Sequence, residues 1–313
     1  MNDAQPLVTI DSNKPTVALA LGTGGARGLA HIGAIEAIEA AGFRITAVSG
    51  SSMGALIGGI YAAGKLDVYR DWVCALQKMD VLKLVDWTLS GAGLIKGERI
   101  IGVLRELIGE IDIEELPIPF TAVATDLDRE REVWLNRGSL FEAIRASIAI
   151  PTVFRPHPLN GHRLVDGGLM NPLPLTPLLQ SPGDYTIAVN VNGPIEVLQA
   201  TRRPVQAKSR SGLRGKIAAF VKRTIGNHEG QQAEPGWMDT LTQSLDLMQE
   251  NLTSFRLAAD RPDLVVEVPR NASAVYEFYR ASELIELGRA RAEYALRAWQ
   301  PPRSCAKSGL PLP

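Results

Sequence analysis

Twice within its first 54 residues the chain ends an apolar run on a glycine turn and then opens a helical pattern. The first run, Thr16-Val17-Ala18-Leu19-Ala20-Leu21, stands between Pro15 and Gly22 and is apolar after its first residue. Such a run suits a strand covered on both faces. Over 26–41, Leu29, Ile32, Ile35 and Ile38 recur every three residues, and Gly42 follows as a helix stop. A short strand over 45–48, a tight turn over 50–54 and a second helix over 55–63, stopped by Gly64, repeat the pattern. Strand, helix, strand, helix in that order requires crossover connections, which predicts an α/β fold with a mainly parallel central sheet flanked by helices.

Downstream, 67–83 and 97–108 read as helices separated by the glycine-bearing loop Ser90-Gly91-Ala92-Gly93. Residues 120–125 and 132–135 read as paired strands, 139–149 as a helix ending before Pro151, and 185–191 as a further strand. His157 and His162 fall in a loop before Asp166 on this reading. Between Glu196 and Glu229 there is no acidic residue, while Arg202, Arg203, Lys208, Arg210, Arg214, Lys216, Lys222 and Arg223 all lie there. The chain therefore divides into a polar leader (1–15), an α/β core (16–193), a basic insert (194–235), a C-terminal helical region completing the domain (236–299) and a disordered tail (300–313). Within the insert, 211–226 carries Leu213, Ile217, Phe220, Val221 and Ile225 at helical spacing among its basic residues, the pattern of an amphipathic helix able to touch an anionic membrane.

Composition narrows the function. With 33 Lys plus Arg against 34 Asp plus Glu, the net charge of -1 supplies no general attraction to nucleic acid, and none is expected as a partner. Cys74 and Cys305 are the only cysteines, which excludes a disulfide framework and a cysteine zinc knuckle. The most apolar long segment, 53–63, falls short of the ~20 residues a spanning helix needs. No basic and apolar leader opens the chain, so a cytoplasmic protein is expected, peripheral on the inner membrane face if it meets lipid.

Gly50-Ser51-Ser52-Met53-Gly54 matches G-x-S-x-G between a predicted strand and a predicted helix. A sharp turn there lifts the Ser52 hydroxyl clear of the sheet, and Gly50 and Gly54 let the backbone bend. The upstream loop Gly22-Thr23-Gly24-Gly25-Ala26-Arg27-Gly28 fits neither G-x-G-x-x-G nor a phosphate-binding P-loop. Convergent amides at Gly24, Gly25 and Ala26 make an oxyanion hole the better functional reading, with Arg27 and Gly28 in support. Asp166, followed by Gly167 and Gly168, offers a carboxylate in open surroundings. A Ser, Asp, His order would leave only His228, inside the basic insert, so a Ser52–Asp166 dyad fits better than a triad.

Gly24-Gly25-Ala26-Arg27-Gly28, Gly50-Ser51-Ser52-Met53-Gly54 and Asp166-Gly167-Gly168, in this order and spacing, resemble the patatin-like phospholipases from about Val17 to Val191. Leu29-Ala30-His31-Ile32-Gly33, the stretch from Ala143 to Pro151 and Asn171-Pro172-Leu173-Pro174 are similar to the bacterial members. The resemblance implies a three-layer α/β fold and a Ser-Asp dyad hydrolysing acyl esters of lipids or phospholipids, without metal or other cofactor. One departure stands out: Thr23 occupies a position where the family has glycine, and a Cβ there resists a positive φ. A catalytically weak lipid-sensing protein and an acyltransferase are the alternatives on the same fold.

Overall fold

The computed structural model describes residues 14–83, 97–151, 153–196 and 237–299. Most of the expected leader, the loop at Ser90-Gly91-Ala92-Gly93, nearly all of the basic insert with 211–226, and the tail lie outside the described residues. The chain divides into a main unit, formed by residues up to Ile195 and from Leu247 onward, and a small unit, Glu196–Asp246.

In the main unit β1 (Thr16–Leu21) lies between β2 (Arg44–Ser51) and β7 (Tyr185–Gly193), parallel to both. β3 (Phe120–Asp126) extends the parallel sheet beyond β2, and β8 (Leu264–Pro269) extends it beyond β7. Antiparallel strands finish the other edge: β6 (His162–Asp166) on β3, β5 (His157–Leu159) on β6, and β4 (Arg131–Leu135) also on β3. The path is β5-β6-β3-β2-β1-β7-β8, the α/β architecture expected.

Alternation along β1 assigns the two faces. Val17, Leu19 and Leu21 join the large core with residues of α1 (Ala30–Ala40), α2 (Met53–Ala62), α5 (Glu98–Ile108) and the last helix. Ala18 and Ala20 face a smaller cluster of Leu173, Leu175 and Leu178, against which Leu257 packs. Small side chains on this second face let an irregular segment approach the sheet closely. Remaining helices are α3 (Leu66–Ala75), α4 (Lys78–Lys83), α6 (Leu140–Ser147), α7 (Trp237–Asp260) and α8 (Ala281–Ala298).

The structure corrects several local expectations. The helix expected over 26–41 begins as a 3-10 turn, Gly25–Leu29, because Gly25 at φ 55 redirects the chain before α1 can start. The helix over 67–83 breaks into α3 and α4 where Leu76 becomes extended. His157 and His162 sit on paired strands rather than in a loop. The C-terminal region is not all helix: Val265, Val266 and Val268 favour extended backbone, and the open edge of β7 receives them as β8.

Helix ends follow the glycines. At Gly42, φ 91, the N–H groups of Gly42 and Phe43 return to the carbonyls of Glu39 and Ile38, a Schellman closure of α1. Gly64 closes α2 in the same way, through Tyr61 and Ile60.

Candidate active site

Ser52 occupies the junction of β2 and α2 with φ 57 and ψ -123, a strained conformation for a residue with a side chain. Two neighbours make room for it. A Cβ on Gly50 would overlap the backbone of Gly54, and one on Gly54 would overlap the Leu21 carbonyl. The Ser52 N–H donates to Ser147 Oγ at 2.9 Å, and that hydroxyl donates to the Val123 carbonyl at 2.6 Å. Ser147, at the end of α6, thus ties the turn to β3.

The Ser52 hydroxyl donates to Asp166 Oδ2 at 2.6 Å across 114 positions of sequence. Asp166 ends β6, its Oδ1 accepts the Gly168 N–H at 2.7 Å, and its own N–H donates to the Ala149 carbonyl at 3.0 Å. A Cβ on Gly167 would overlap the Val123 carbonyl, so glycine is required where this loop meets β3. Ser52 is 1% exposed and Asp166 3%. Burial raises the Asp166 carboxyl to about 6, opposed by its hydrogen bonds from Ser52 and the Gly168 amide.

The glycine loop lies under the same junction. Gly22 and Thr23 donate their amides to Val189 and Pro172 carbonyls, and Ala26 donates to the Val275 carbonyl at 2.9 Å. Ala26 is therefore not an available donor, which corrects its expected place among convergent amides. No acceptor takes the Gly24 and Gly25 amides among the described residues. Thr23 is not among the residues of positive φ, and its carbonyl accepts from Asn192 Nδ2 at 2.9 Å, so a side chain is accommodated there without strain. Arg27 is buried, with Nε donating to the Gly24 carbonyl at 3.2 Å and Nη1 to the Arg270 carbonyl at 2.8 Å. It braces the loop. Gly28 lets Met53 approach, since a Cβ there would overlap the Met53 side chain.

No histidine hydrogen-bonds Ser52 or Asp166 among the described residues; His228 lies outside them. His31 is buried at the start of α1, with Nε2 2.8 Å from the Gly22 carbonyl, and burial holds it down to about 4 despite that bond. A neutral ring donating from Nε2 supports the glycine loop, a role its place in a helix did not reveal. His157 Nε2 lies 2.8 Å from Glu142 Oε2. His162 lies with Asp126 and Asp128, their ligand atoms within 4.8 Å of one another. Asp126 Oδ1 accepts the amides of Asp128 and Arg129, and Asp128 pairs with Arg163, so these carboxylates already lock the β3–β4 turn and the start of β6.

Residues 19–179 match the family model for patatin-like phospholipase. The chain belongs to the patatin-like phospholipase family. An uncharacterised NTE family protein of Mycobacterium tuberculosis is 38% identical, over 92% of this chain and 93% of its own. The neuropathy target esterase sws of Drosophila melanogaster is 32% identical over 56% of this chain, a match that spans 13% of that larger protein. VipD from Legionella pneumophila, a solved structure, aligns over 91% of this chain and 67% of its own, with TM-score 0.40 and 13% identity. Patatin-like membership supports an esterase or phospholipase type of hydrolysis. No described helix of this patatin-like protein is long and apolar enough to cross a membrane.

Proposed function

We propose that the protein is a serine hydrolase of lipid acyl esters in which Ser52 is the nucleophile and Asp166 the base. The observation that carries this reading is the 2.6 Å hydrogen bond from the strained, helix-initiating Ser52 to a buried carboxylate. Ser52 Oγ attacks the ester carbonyl as its proton passes to Asp166 Oδ2. The amides of Gly24 and Gly25 face the developing oxyanion, and the start of α2 adds its partial positive charge. The alcohol leaves with the proton from Asp166. Water then attacks the acyl-enzyme, Asp166 taking one of its protons, and the acid and free Ser52 are restored. Contact with anionic lipid through 211–226 belongs to the same reading, supported by the basic and apolar pattern there, and a salt-sensitive vesicle affinity checks it.

Incubation with a fluorophosphonate followed by peptide mapping should label Ser52, and both Ser52→Ala and Asp166→Asn should lose at least ~10²-fold turnover of a p-nitrophenyl ester. Wild-type turnover in either variant removes the dyad.

A further inference from the structure

The outward face of α7 carries no charge over the part of the helix that belongs to the main unit. Over this stretch, 247–260, the charged side chains are half-buried and held by partners: Glu250 pairs with Arg270, Arg256 with Glu132 at 2.8 Å, and Asp260 accepts from Thr176 at 2.9 Å. The exposed positions of this stretch hold Leu247, Met248, Asn251, Phe255 and alanine or serine, with no charge among them. Leu247 is 57% exposed, Met248 56% and Phe255 72%. At ~100° per residue these positions form one continuous stripe along the helix.

The stripe borders the candidate site. On the inward side of the same turns, Gln249 Nε2 lies 2.8 Å from where a Cβ would stand on Gly168, whose amide holds Asp166. Another exposed ring, Tyr276, follows Val275, whose carbonyl holds Ala26 of the glycine loop.

We propose that this outward face of α7 seats the protein on a lipid surface, with the dyad at its inner side; the choice of lipid rests on the acyl-hydrolase reading. A fluid acyl layer asks for no matching charge or hydrogen bond, and flexible Leu, Met and Phe side chains fill it without a fixed shape. Attachment through this face is therefore insensitive to salt and to head-group charge.

The test uses the full chain with phosphatidylcholine vesicles. In co-sedimentation, the variant carrying Leu247→Gln, Met248→Gln and Phe255→Gln should partition at least ~tenfold more weakly than wild type, with unchanged circular dichroism and unchanged turnover of soluble p-nitrophenyl butyrate. Asn251→Trp, which adds an interfacial ring to the stripe, should bind more tightly and keeps the idea testable if the triple variant misfolds. Equal binding of wild type and the triple variant, or no binding of wild type to these vesicles, overturns the proposal. So does a dimer in sedimentation velocity that the triple substitution dissolves, since a second copy would then cover the face. Absent turnover of the soluble ester sinks the hydrolase reading instead, because vesicle partition is measured without it.

Discussion

In the proposed mechanism Asp166 sets the pH behaviour of the site. Its carboxyl is raised to about 6 chiefly by burial, so in that mechanism its proton at pH 5 keeps it from accepting that of Ser52. Turnover of a soluble ester should rise about tenfold per pH unit up to about 6 and then level off. A profile still climbing above pH 7 would point to a different base. Stability should run the other way. A carboxyl raised from 3.8 to about 6 keeps its proton in the folded state longer than in the unfolded chain, so its contribution is fully present below pH 4 and is lost by pH 7. The difference is about 3 kcal/mol. Asp166→Asn cannot ionise, so its Tm relative to wild type should increase from pH 4 to pH 7 in thermal scans at several pH values. No such increase would mean that the buried carboxyl is not destabilised.

The elements around Ser52 and Asp166 act as clamps on two turns. α6 holds the Ser52 backbone through Ser147, while the 3-10 turn before α1 is held by Val275, Arg27 and His31. Gly25 is the sensitive point, because φ 55 disfavours any side chain and an added Cβ would stand 2.7 Å from the Val275 carbonyl. Gly25→Ala should therefore displace the amide expected to face the oxyanion and lower kcat ~10²-fold, with KM little changed and the circular dichroism spectrum retained. Steady-state kinetics on p-nitrophenyl butyrate decide this. An unchanged kcat would take Gly25 out of the hole.

In the main unit the C-terminal elements complete a sheet begun at Thr16. β8 covers the edge of β7, and Leu284 and Ile285 of α8 enter the same core as Leu19 and Ile35. α1 and α8 touch through glycines: a Cβ on Gly33 would overlap the Ile285 carbonyl, and one on Gly288 the Ala30 carbonyl. Gly288→Val should force the helices apart and cost about 1–3 kcal/mol or more, visible as a lower urea midpoint. Because Ala30 adjoins the glycine loop, activity should fall with it. A midpoint equal to wild type would show that the crossing yields without cost.

The opening β1, α1, β2 and α2 were legible in the sequence because their causes are local: an unbroken apolar run, a three-residue repeat and glycines at Schellman closures. The turns that carry Ser52 and Asp166 are legible for the same reason, each standing on a short motif whose glycines admit a close backbone approach. Ala26 departs from its expected place because its amide is taken by Val275, a partner no nearby residue announces. β8 departs from the helical region expected over 236–299 because its strand character matters only beside the open edge of β7. The neutral His31 under the loop, the raised Asp166 and the outward apolar stripe of α7 depend on what the folded chain buries and what it leaves exposed. Local pattern determined the elements and the turns that carry Ser52 and Asp166; long-range hydrogen bonding and burial, which exist only once the sheet is assembled, decided which amides remain open and how the carboxylate titrates.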